Sequence, residues 1–393
     1  MWTRRSVVKS LPAVALLPQT MPAHAAASRA TLLVGTGTSA PSGSKGIYAA
    51  AWDQQAGTVG ELALVAELTS PTYLAVVPRA AGGGLVYAIS EADAGMVTAF
   101  DLATDRTTGG VELKKLNAQS TEGAGPAHVA AIGGGAQTPT RGSVYVANYG
   151  GGSVTSYAME ATGALSGPVS HFQFAPVDAD AIHAKPHAHE ATPSPDGKFL
   201  LVNDLGSDRI WVYRMDRDTG MLRANAPAFW QGRHGSGPRH LVFHPNGRWV
   251  YSVNELDSTV DTLRWDGTAG TLTKIGGPVS TLEPDYPKGK AFPSGILVSR
   301  DGRFVYVGNR RNETIAMLTV DPKSGALTLG QIVVHGGKTA RELALDPSEK
   351  FLLVACQDSN GIVVLGRDGT TGKLTGPLHT YAIDSPQCLV FTR

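Results

Sequence analysis

Short apolar runs and polar turns alternate along most of the chain. The apolar runs are rich in Val, Ile, Leu, Tyr and Ala, and Gly, Pro, Asn and Asp separate them. Runs of about four to eight such residues between turn residues predict β-strands. No long stretch repeats its apolar residues at the helical period of about 3.6, so the pattern predicts an all-β chain.

A unit of four runs recurs through this pattern. Each unit opens with a run that usually follows a proline and continues with a second run that ends in a polar turn, as in "VYSVNELDSTV". A third run follows, and a turn such as "DPKSGALT" leads to the fourth. Seven such units predict a seven-bladed β-propeller with four strands in each blade. The first runs begin at Pro71, Pro126, Pro186, Pro238, Pro293, Ala340 and Pro386.

The two ends of the chain complete one unit between them. The seventh unit contains only its first run, "PQCLVF", before the chain ends. Near the N-terminus, "TLLVGTGT", "GIYAAAWD" and "LALVAEL" supply three further runs. We therefore expect a last blade shared between the N- and C-termini, which closes the ring and leaves no open sheet edge. A single propeller domain is predicted over residues 30–393.

Residues 1–25 have the pattern of an export signal. Arg4 and Arg5 precede the apolar run "LPAVALLP", and small residues at Ala23 and Ala25 form a cleavage site. The paired arginines, with Lys9 behind them, indicate a twin-arginine signal peptide. A Sec signal or a disordered tail is the alternative. The interpretation predicts a periplasmic or extracellular protein, and no apolar run is long enough to span a bilayer.

Composition excludes several classes of function. The net charge is +1 and the sequence has no basic tract, which argues against nucleic-acid binding. Hydrophobic residues make up 42% and charged residues 17% of the chain, enough for a large core. Two cysteines, Cys356 and Cys388, exclude a disulfide scaffold and a thiolate metal site. We expect two buried thiols, with a single bridge between them as the alternative.

The candidate chemistry collects at one end of the predicted channel. The first strand of each blade lines the channel of a propeller, and its start lies at the same end as the turn between the second and third strands. In "GPRHLVFHPNGRWVYSVNELDSTV", a regular hairpin centred near Asn246 would place Arg239 opposite Glu255. The alternative is that these two residues form only a surface ion pair.

Other blades contribute side chains at equivalent positions. His189 and Arg341 match Arg239, each six residues before a proline, and Arg310 matches Glu255, eight residues after a glycine. Such a group of imidazoles, guanidinium groups and one carboxylate suits an anionic or carbonyl-bearing ligand. Each side chain also has a structural alternative, such as a histidine that caps a strand or an Arg310–Glu313 pair. The further candidates are Tyr73, His128, His187, Asn148, Asp204, His240 and Gln357.

Several stretches resemble the lactonase family typified by cytosolic 6-phosphogluconolactonase, which includes a carboxy-cis,cis-muconate lactonizing enzyme. They are "GPRHLVFHPNGRWVYSVNELDSTV", "HAHEATPSPDGKFLLVNDLGSDRI", "VYVANYGGGSV", "SRDGRFVYVGNRRNETIA" and "ACQDSNGIVV". The resemblance implies a seven-bladed propeller without a metal or other cofactor. Its functional histidine, two arginines and glutamate fall on His189, Arg239, Arg310 and Glu255. The sequence departs from the family at Gly295, where an acidic residue is usual, and at Ala340 and Glu342.

The resemblance implies hydrolysis of a small sugar-type lactone at the channel mouth. His189, Glu255 and Arg239 are the expected catalytic residues, with either His189 or Glu255 as the base. A carboxylate beside an arginine is a weak base, which favours His189. The expected substrate-binding residues are Arg310, Arg341, His187, His128 and Tyr73. Two alternatives stay open: an exported propeller that binds a sugar acid or a protein without catalysis, and a muconate-type cycloisomerase.

Overall fold

The computed structural model describes residues 30–79, 83–104, 110–133, 141–177, 185–287 and 289–392. The expected signal peptide, residues 1–25, lies outside these ranges. Within them the chain forms thirty strands and two short 3₁₀ turns, Leu205–Ser207 and Gln357–Ser359. No helix in the described ranges is long and apolar enough to cross a membrane.

Seven antiparallel sheets stand around a central channel, and each has one inner strand. Neighbouring inner strands contact one another all the way round, including the last with the first. The seven-bladed all-β prediction is therefore confirmed. The inner strands of blades 1 to 7 are β5 (Leu74–Pro78), β9 (Pro126–Gly133), β13 (Ala188–Pro193), β17 (Pro238–Phe243), β22 (Pro293–Val298), β26 (Ala340–Leu345) and β30 (Pro386–Thr392).

The remaining strands follow outwards in each blade, in the order second, third and fourth. Blades 1 to 3 contain β6 (Gly84–Ser90), β7 (Met96–Thr104), β8 (Val111–Ser120); β10 (Gly142–Asn148), β11 (Ser153–Met159), β12 (Leu165–Gln173); and β14 (Phe199–Asp204), β15 (Arg209–Met215), β16 (Leu222–Gln231). Blades 4 to 6 contain β18 (Trp249–Asn254), β19 (Thr259–Asp266), β20 (Thr271–Lys274), β21 (Val279–Ser280); β23 (Phe304–Asn309), β24 (Thr314–Val320), β25 (Leu327–Val334); and β27 (Phe351–Cys356), β28 (Gly361–Arg367), β29 (Leu374–Ala382).

The seventh blade joins the two ends of the chain, as the sequence predicts. Its outer strands are β1 (Ala30–Thr36), β2 (Gly46–Asp53), β3 (Thr58–Val59) and β4 (Ala63–Glu67). β1 pairs with β30 from Thr31↔Thr392 to Gly35↔Cys388, so backbone hydrogen bonds close the ring. This closure turns the edge of the C-terminal strand into a paired strand, which removes a template for aggregation.

The hydrophobic core is divided into seven clusters, and each lies between two adjacent blades. Leu33, Ile47 and Leu74, for example, belong to the cluster between blades 7 and 1. A blade cannot bury both of its faces alone, so these clusters make the ring depend on all seven units. Cys356 and Cys388 are both buried free thiols, as expected, and no bridge joins them.

A repeated contact fastens neighbouring blades near the outer turns. A tyrosine hydroxyl on a second strand donates a hydrogen bond to a glycine carbonyl in the turn between the third and fourth strands of the next blade. The distances are 2.9 Å for Tyr87–Gly163, 3.0 Å for Tyr251–Gly325 and 2.7 Å for Tyr306–Gly372. Gly325 has a φ of +79°, and a Cβ there would lie 2.4 Å from the ring of Trp249. The glycine in "KSGALT" is thus required by backbone conformation and by contact.

Gly325→Ala should lower the free energy of unfolding by about 2–5 kcal/mol, because alanine is strained in a left-handed conformation and its methyl group would overlap Trp249. Chemical denaturation followed by tryptophan fluorescence measures the change. Gly369→Ala is the matched control, since Gly369 is an exposed turn glycine with no atom near its missing Cβ. Equal stability of the two variants would contradict this role of Gly325.

Candidate functional site

A backbone irregularity at the start of the inner strands builds the site. In β17, Pro238 pairs with Asn254 and His240 pairs with Val253, so Arg239 is an extra residue opposite no partner. The expected regular hairpin is therefore wrong, and Arg239 is not directly cross-strand from Glu255. Such a bulge re-aims a side chain and lets consecutive residues face the same side. The register shifts at the equivalent place in five other inner strands, at Ala127, His189, Ser294, Arg341 and Gln387.

The bulges give the channel two layers of side chains. Both members of three consecutive pairs line one small cavity at the channel axis: Thr72 and Tyr73, Arg239 and His240, Arg341 and Glu342. A regular strand would have sent one member of each pair to the opposite face. We call the outer layer the mouth ring: Thr72, Ala127, His189, Arg239, Ser294, Arg341 and Gln387. The inner layer is the channel ring: Tyr73, His128, Glu190, His240, Gly295, Glu342 and Cys388.

The mouth ring and its neighbours hold three guanidinium groups and one carboxylate, and two of the guanidinium groups contact this carboxylate. Glu255 Oε2 lies 3.0 Å from Arg239 Nε and 2.7 Å from Arg310 Nη2. Arg310 also donates a hydrogen bond from Nε to Phe292 O at 2.8 Å, so it does not pair with Glu313. Arg341 lines the cavity. The three arginines and Glu255 carry a formal charge of about +2 at neutral pH.

Arg239 is the most constrained member of this group. Its side chain is 2% exposed, and its Nε faces Glu255 without the alignment of a hydrogen bond. Nη1 of Arg239 has no hydrogen-bond partner in the described part of the chain. Burial, together with the charges of Arg341 and Arg310, lowers the pKa of Arg239 to about 9 against the opposing effect of Glu255. A buried cation with unused donors is a ready site for an anionic oxygen.

His189 adjoins this cation as a neutral imidazole. It is 4% exposed, and its Nδ1 has no hydrogen-bond partner among the described residues. Burial holds the pKa of His189 well below its usual value, and Arg239 lowers it further. The ring meets those of His240 and Tyr149 edge-on, with centroids 5.0 Å and 5.5 Å away. A neutral imidazole beside a cavity can accept a proton.

The channel ring pairs histidines with buried carboxyl groups. His128 Nε2 lies 3.8 Å from Glu190 Oε1, and His240 Nδ1 lies 3.9 Å from Glu342 Oε2. Burial lowers the pKa of His128 to about 3, raises that of Glu190 to about 8 and raises that of Glu342 to about 7. These pairs are therefore neutral partners, with the proton on the carboxyl group, rather than ion pairs. Desolvation decides this, because the attraction between two charges nearly 4 Å apart does not repay the loss of their hydration on burial.

Two further sequence candidates, His187 and Asp204, lie in the side wall of the mouth. The His187 ring stacks on Tyr149 with centroids 4.4 Å apart, and its Nδ1 lies 3.0 Å from the Tyr149 carbonyl. The backbone N–H of His187 donates a hydrogen bond to Asp204 Oδ1 at 2.7 Å. His187 and Asp204 thus hold Tyr149 in place. Burial raises the pKa of Tyr149, the charge of Glu255 raises it as well, and the three arginines oppose this rise.

Two other candidates are structural. Asn148 donates a hydrogen bond from its side chain to Thr121 O at 2.9 Å, which secures a turn. Gln357 begins a 3₁₀ turn, and its backbone N–H donates a hydrogen bond to Thr339 O at 3.0 Å. Tyr73 lines the cavity, and its ring lies 4.2 Å from that of His128. His128 lies in the channel ring, below the arginines, rather than at the mouth.

Backbone strain marks the same end of the propeller. Eleven non-glycine residues in the described ranges have a positive φ, and ten of them lie in loops at the mouth end; the exception is Glu349. Phe292, with a φ of +51°, directly precedes β22, and its carbonyl accepts the Arg310 hydrogen bond. Left-handed residues cost energy and concentrate at functional loops. The backbone strain of the described residues is therefore concentrated at the same end as the arginine cluster.

The cavity itself is small and polar. Its volume is about 10 Å³, the space of one water-sized sphere. Thr72, Gln387 and Ala127 complete the wall. Among the described residues, no group of three or more His, Cys, Asp or Glu is placed to hold a metal ion.

Comparisons with known proteins agree with this architecture. The family model described as "Lactonase, 7-bladed beta-propeller" matches residues 31–391. The chain belongs to this lactonase family. The chain is 32% identical to the Bacillus subtilis 6-phosphogluconolactonase over 356 residues, which cover 90% of this chain and 97% of that protein. It is 31% identical to a 6-phosphogluconolactonase from Formosa agariphila, with 80% and 87% covered.

A solved structure extends the likeness of this lactonase-family member to the whole ring. The periplasmic gluconolactonase of Pseudomonas aeruginosa superposes with a TM-score of 0.83 at 28% identity, over 93% of this chain and 99% of that one. The resemblance seen in the sequence motifs is therefore confirmed at the level of the family.

The sequence predicted most of the polar side chains that meet in this family member's channel, including Tyr73, His128 and His240. Arg239, Glu255, Arg310, Arg341 and His189 come together, although from a bulged rather than a regular strand. Tyr149, Glu190, Glu342 and Gln387 were missed as site residues. Repeat alignment of the seven inner strands could have found the last three, since each follows the start of its strand by one or two positions.

Protonation of the buried Glu190 predicts a pH dependence of stability. A carboxyl whose folded pKa is raised from 4.5 to about 8 stabilises the folded protein fully below 4.5, and this stabilisation is lost as pH rises through 8. Buried histidines with a lowered pKa, such as His128, make the folded protein more stable as pH rises, but this gain in stability is complete above pH 6.5. The free energy of unfolding should therefore fall between about pH 6.5 and 8. Glu190→Gln should flatten this slope in denaturation curves, whereas Glu283→Gln, at an exposed site, should keep it.

Proposed function

We propose that this family member hydrolyses a sugar-type lactone at the mouth of the propeller channel. The observation that carries the proposal is Arg239, a buried cation with unused donors beside the neutral His189 in one cavity. An ester carbonyl develops negative charge on its oxygen when water attacks it. A fixed donor stabilises that oxygen, and a neutral imidazole accepts the proton of the water.

The chemical step follows from these positions. A water oxygen attacks the ring carbonyl and its proton passes to His189, while Arg239 binds the developing oxyanion. The ring C–O bond then breaks, the leaving alkoxide takes a proton, and the product is an open-chain hydroxy acid. Glu255 is the weaker candidate for the base, because Oε2 already lies within 3.0 Å of both Arg239 and Arg310. Its proposed role is to orient the two guanidinium groups.

The positive mouth supports a substrate that carries an acidic or strongly polar group. Arg310 and Arg341 are placed beside Arg239, and the relatives named above act on gluconolactone or its phosphate by name. We assign Arg310 and Arg341 to substrate binding, with Tyr149 as a hydroxyl contact on the side wall. His128 and Tyr73 lie deeper and support this wall rather than the substrate.

Arg239→Ala should lower kcat on the preferred lactone by roughly a hundredfold or more, since a fixed oxyanion donor is typically worth about 3 kcal/mol. Stopped pH-indicator assays on a panel of aldonolactones, with and without phosphate, measure turnover above spontaneous hydrolysis. Arg264→Ala, an exposed arginine on β19, is the matched control and should match the unaltered protein. A folded Arg239→Ala protein with near-normal turnover would falsify the assigned role.

The same panel separates the alternatives. No turnover of any lactone, together with measurable binding of a sugar acid by calorimetry, would favour a binding propeller. Ring closure of a muconate in place of lactone hydrolysis would favour a cycloisomerase. Glu255→Gln should reduce both binding and turnover, because it releases Arg239 and Arg310 from their shared carboxylate.

We also propose export through the twin-arginine signal, which would place the activity outside the cytoplasm, as in the periplasmic relative. Joint Arg4→Lys and Arg5→Lys substitution should keep the uncleaved chain in the cytoplasm, because recognition of the signal needs the arginine pair. Cell fractionation and the mass of the N-terminus measure the outcome. Lys9→Arg is the control and should be exported normally; export of the double variant would overturn the proposal.

A further inference from the structure

Glu342 reaches His240 across a gap that a glycine leaves open. The two residues stand on β26 and β17, and β22 lies between these strands with Gly295 at the equivalent position. Glu342 Oε2 lies 3.9 Å from His240 Nδ1. A Cβ on Gly295 would lie 2.5 Å from Glu342 Oε1. The carboxyl group of blade 6 therefore fills the space that a side chain of blade 5 would occupy.

The other histidine–carboxyl pair of the channel ring is differently satisfied. Leu241 donates its N–H to Glu190 Oε2, and Ala191 N lies 3.5 Å from His128 Nδ1. His128 therefore meets protein atoms on both sides of its ring. His240 is 3% exposed and lines the cavity, yet its Nε2 has no hydrogen-bond partner in the described ranges. A buried polar atom left unpaired costs about 1–3 kcal/mol, so its place at the cavity suggests a use.

We propose that His240, positioned by Glu342, is a second proton-transfer residue that supplies the proton taken up by the leaving ring oxygen. This inference rests on the proposed lactone hydrolysis. His189 and His240 face one cavity from adjacent blades with their rings 5.0 Å apart. One imidazole receives a proton from the attacking water while the other gives a proton to the alkoxide. The cavity is about the size of one water molecule, and a water there would carry the proton from Nε2 to the ring oxygen.

The protons balance over one turnover. His240 gives its Nε2 proton to the alkoxide. The Glu342 carboxyl, 3.9 Å away in the resting site, moves to hydrogen-bond distance of Nδ1 and donates its proton there, so Glu342 becomes a carboxylate. His189 has meanwhile become an imidazolium. Transfer of its proton through the same cavity to the other imidazole restores Glu342 and leaves both rings neutral. No oxidant, reductant or metal takes part in these transfers.

The surroundings support a protonated Glu342 in the resting site. Burial raises the pKa of Glu342 to about 7. The cations Arg239 and Arg341 oppose this rise, and so does the Leu343 N–H, which donates a hydrogen bond to Glu342 Oε1 at 3.0 Å. Burial and nearby cations lower the pKa of His240, so its ring is neutral and the proton of the pair rests on the carboxyl. The titratable and charged groups that face the pair are Tyr73, His128, His189, Glu190, Arg239, Arg310, Arg341 and Cys388.

The kinetic test uses Glu342→Gln, which keeps the shape of the side chain but cannot donate this proton. We expect kcat to fall by about 100-fold, the usual contribution of a positioned acid, with KM changed by less than about threefold. In the unaltered protein kcat should decline as pH rises through about 7, because the protonated form is active. That limb should vanish in Glu342→Gln. An unchanged limb or a change confined to KM would overturn the inference.

Moving the carboxyl group to another strand tests whether its position beside His240 matters for activity, or only its contribution to stability. Glu342→Gly should lose the activity, and adding Gly295→Asp should restore at least about tenfold, since Asp at 295 would place its carboxyl in the same space. Failure of this rescue in a double variant that unfolds at the same temperature as Glu342→Gly would count against the pair. Glu283→Gln is the control for loss of one carboxylate at an exposed site.

Histidine-detected ¹⁵N NMR separates this inference from the proposed function. The pair predicts a neutral His240 whose ring nitrogens change shift in Glu342→Gln, while those of His335, a buried histidine away from the channel, stay unchanged. A His240 spectrum insensitive to Glu342→Gln would overturn the pair even if the protein hydrolyses lactones. If no lactone is hydrolysed, the proposed function fails, and the transfer role of His240 fails with it, whereas the shift still reports the contact.

Discussion

Arg239 is a buried cation whose neighbours do not supply enough negative charge to neutralise it, and the rest of the structure has to compensate for this cost. One carboxylate, Glu255, lies beside it, while Arg310 and Arg341 add positive charge. Burial of an incompletely paired cation costs several kcal/mol, and nothing in an isolated hairpin could meet that cost. The ring meets it collectively, through seven interblade clusters and a hydrogen-bonded closure between β30 and β1. A rigid scaffold is thus the condition for keeping this cation buried.

The bulges convert this rigidity into chemistry. Because six of the seven inner strands carry one extra residue near their start, their blades present two consecutive side chains to the channel instead of one. The mouth ring holds Arg239, Arg341 and the neutral His189, whereas the channel ring holds two further neutral imidazoles and two buried carboxyl groups. The two layers are only one residue apart along each strand, so cations and buried carboxyl groups lie next to each other.

The sequence predicted the fold because the fold is a repeat. Period, turn residues and the unpaired run "PQCLVF" were sufficient for seven blades and their shared closure. They also brought Arg239 and Glu255 together, since a one-residue slip still leaves long side chains within reach. Local pattern could not reveal that Arg239 is bulged, because a bulge is set by contact with the neighbouring strand. Nor could it join Glu342 to His240, which meet only because Gly295, in the blade between them, has no side chain.

The electrostatics of the mouth link ligand charge to base strength. The cations that would hold an anionic group also lower the pKa of His189, after burial itself. An imidazole kept far below its usual pKa is a weak base. An anionic substrate group bound against Arg310 and Arg341 would offset those cations and raise the pKa of His189 towards neutrality. Binding of the charged group would then also strengthen the base, because the same guanidinium groups act on both.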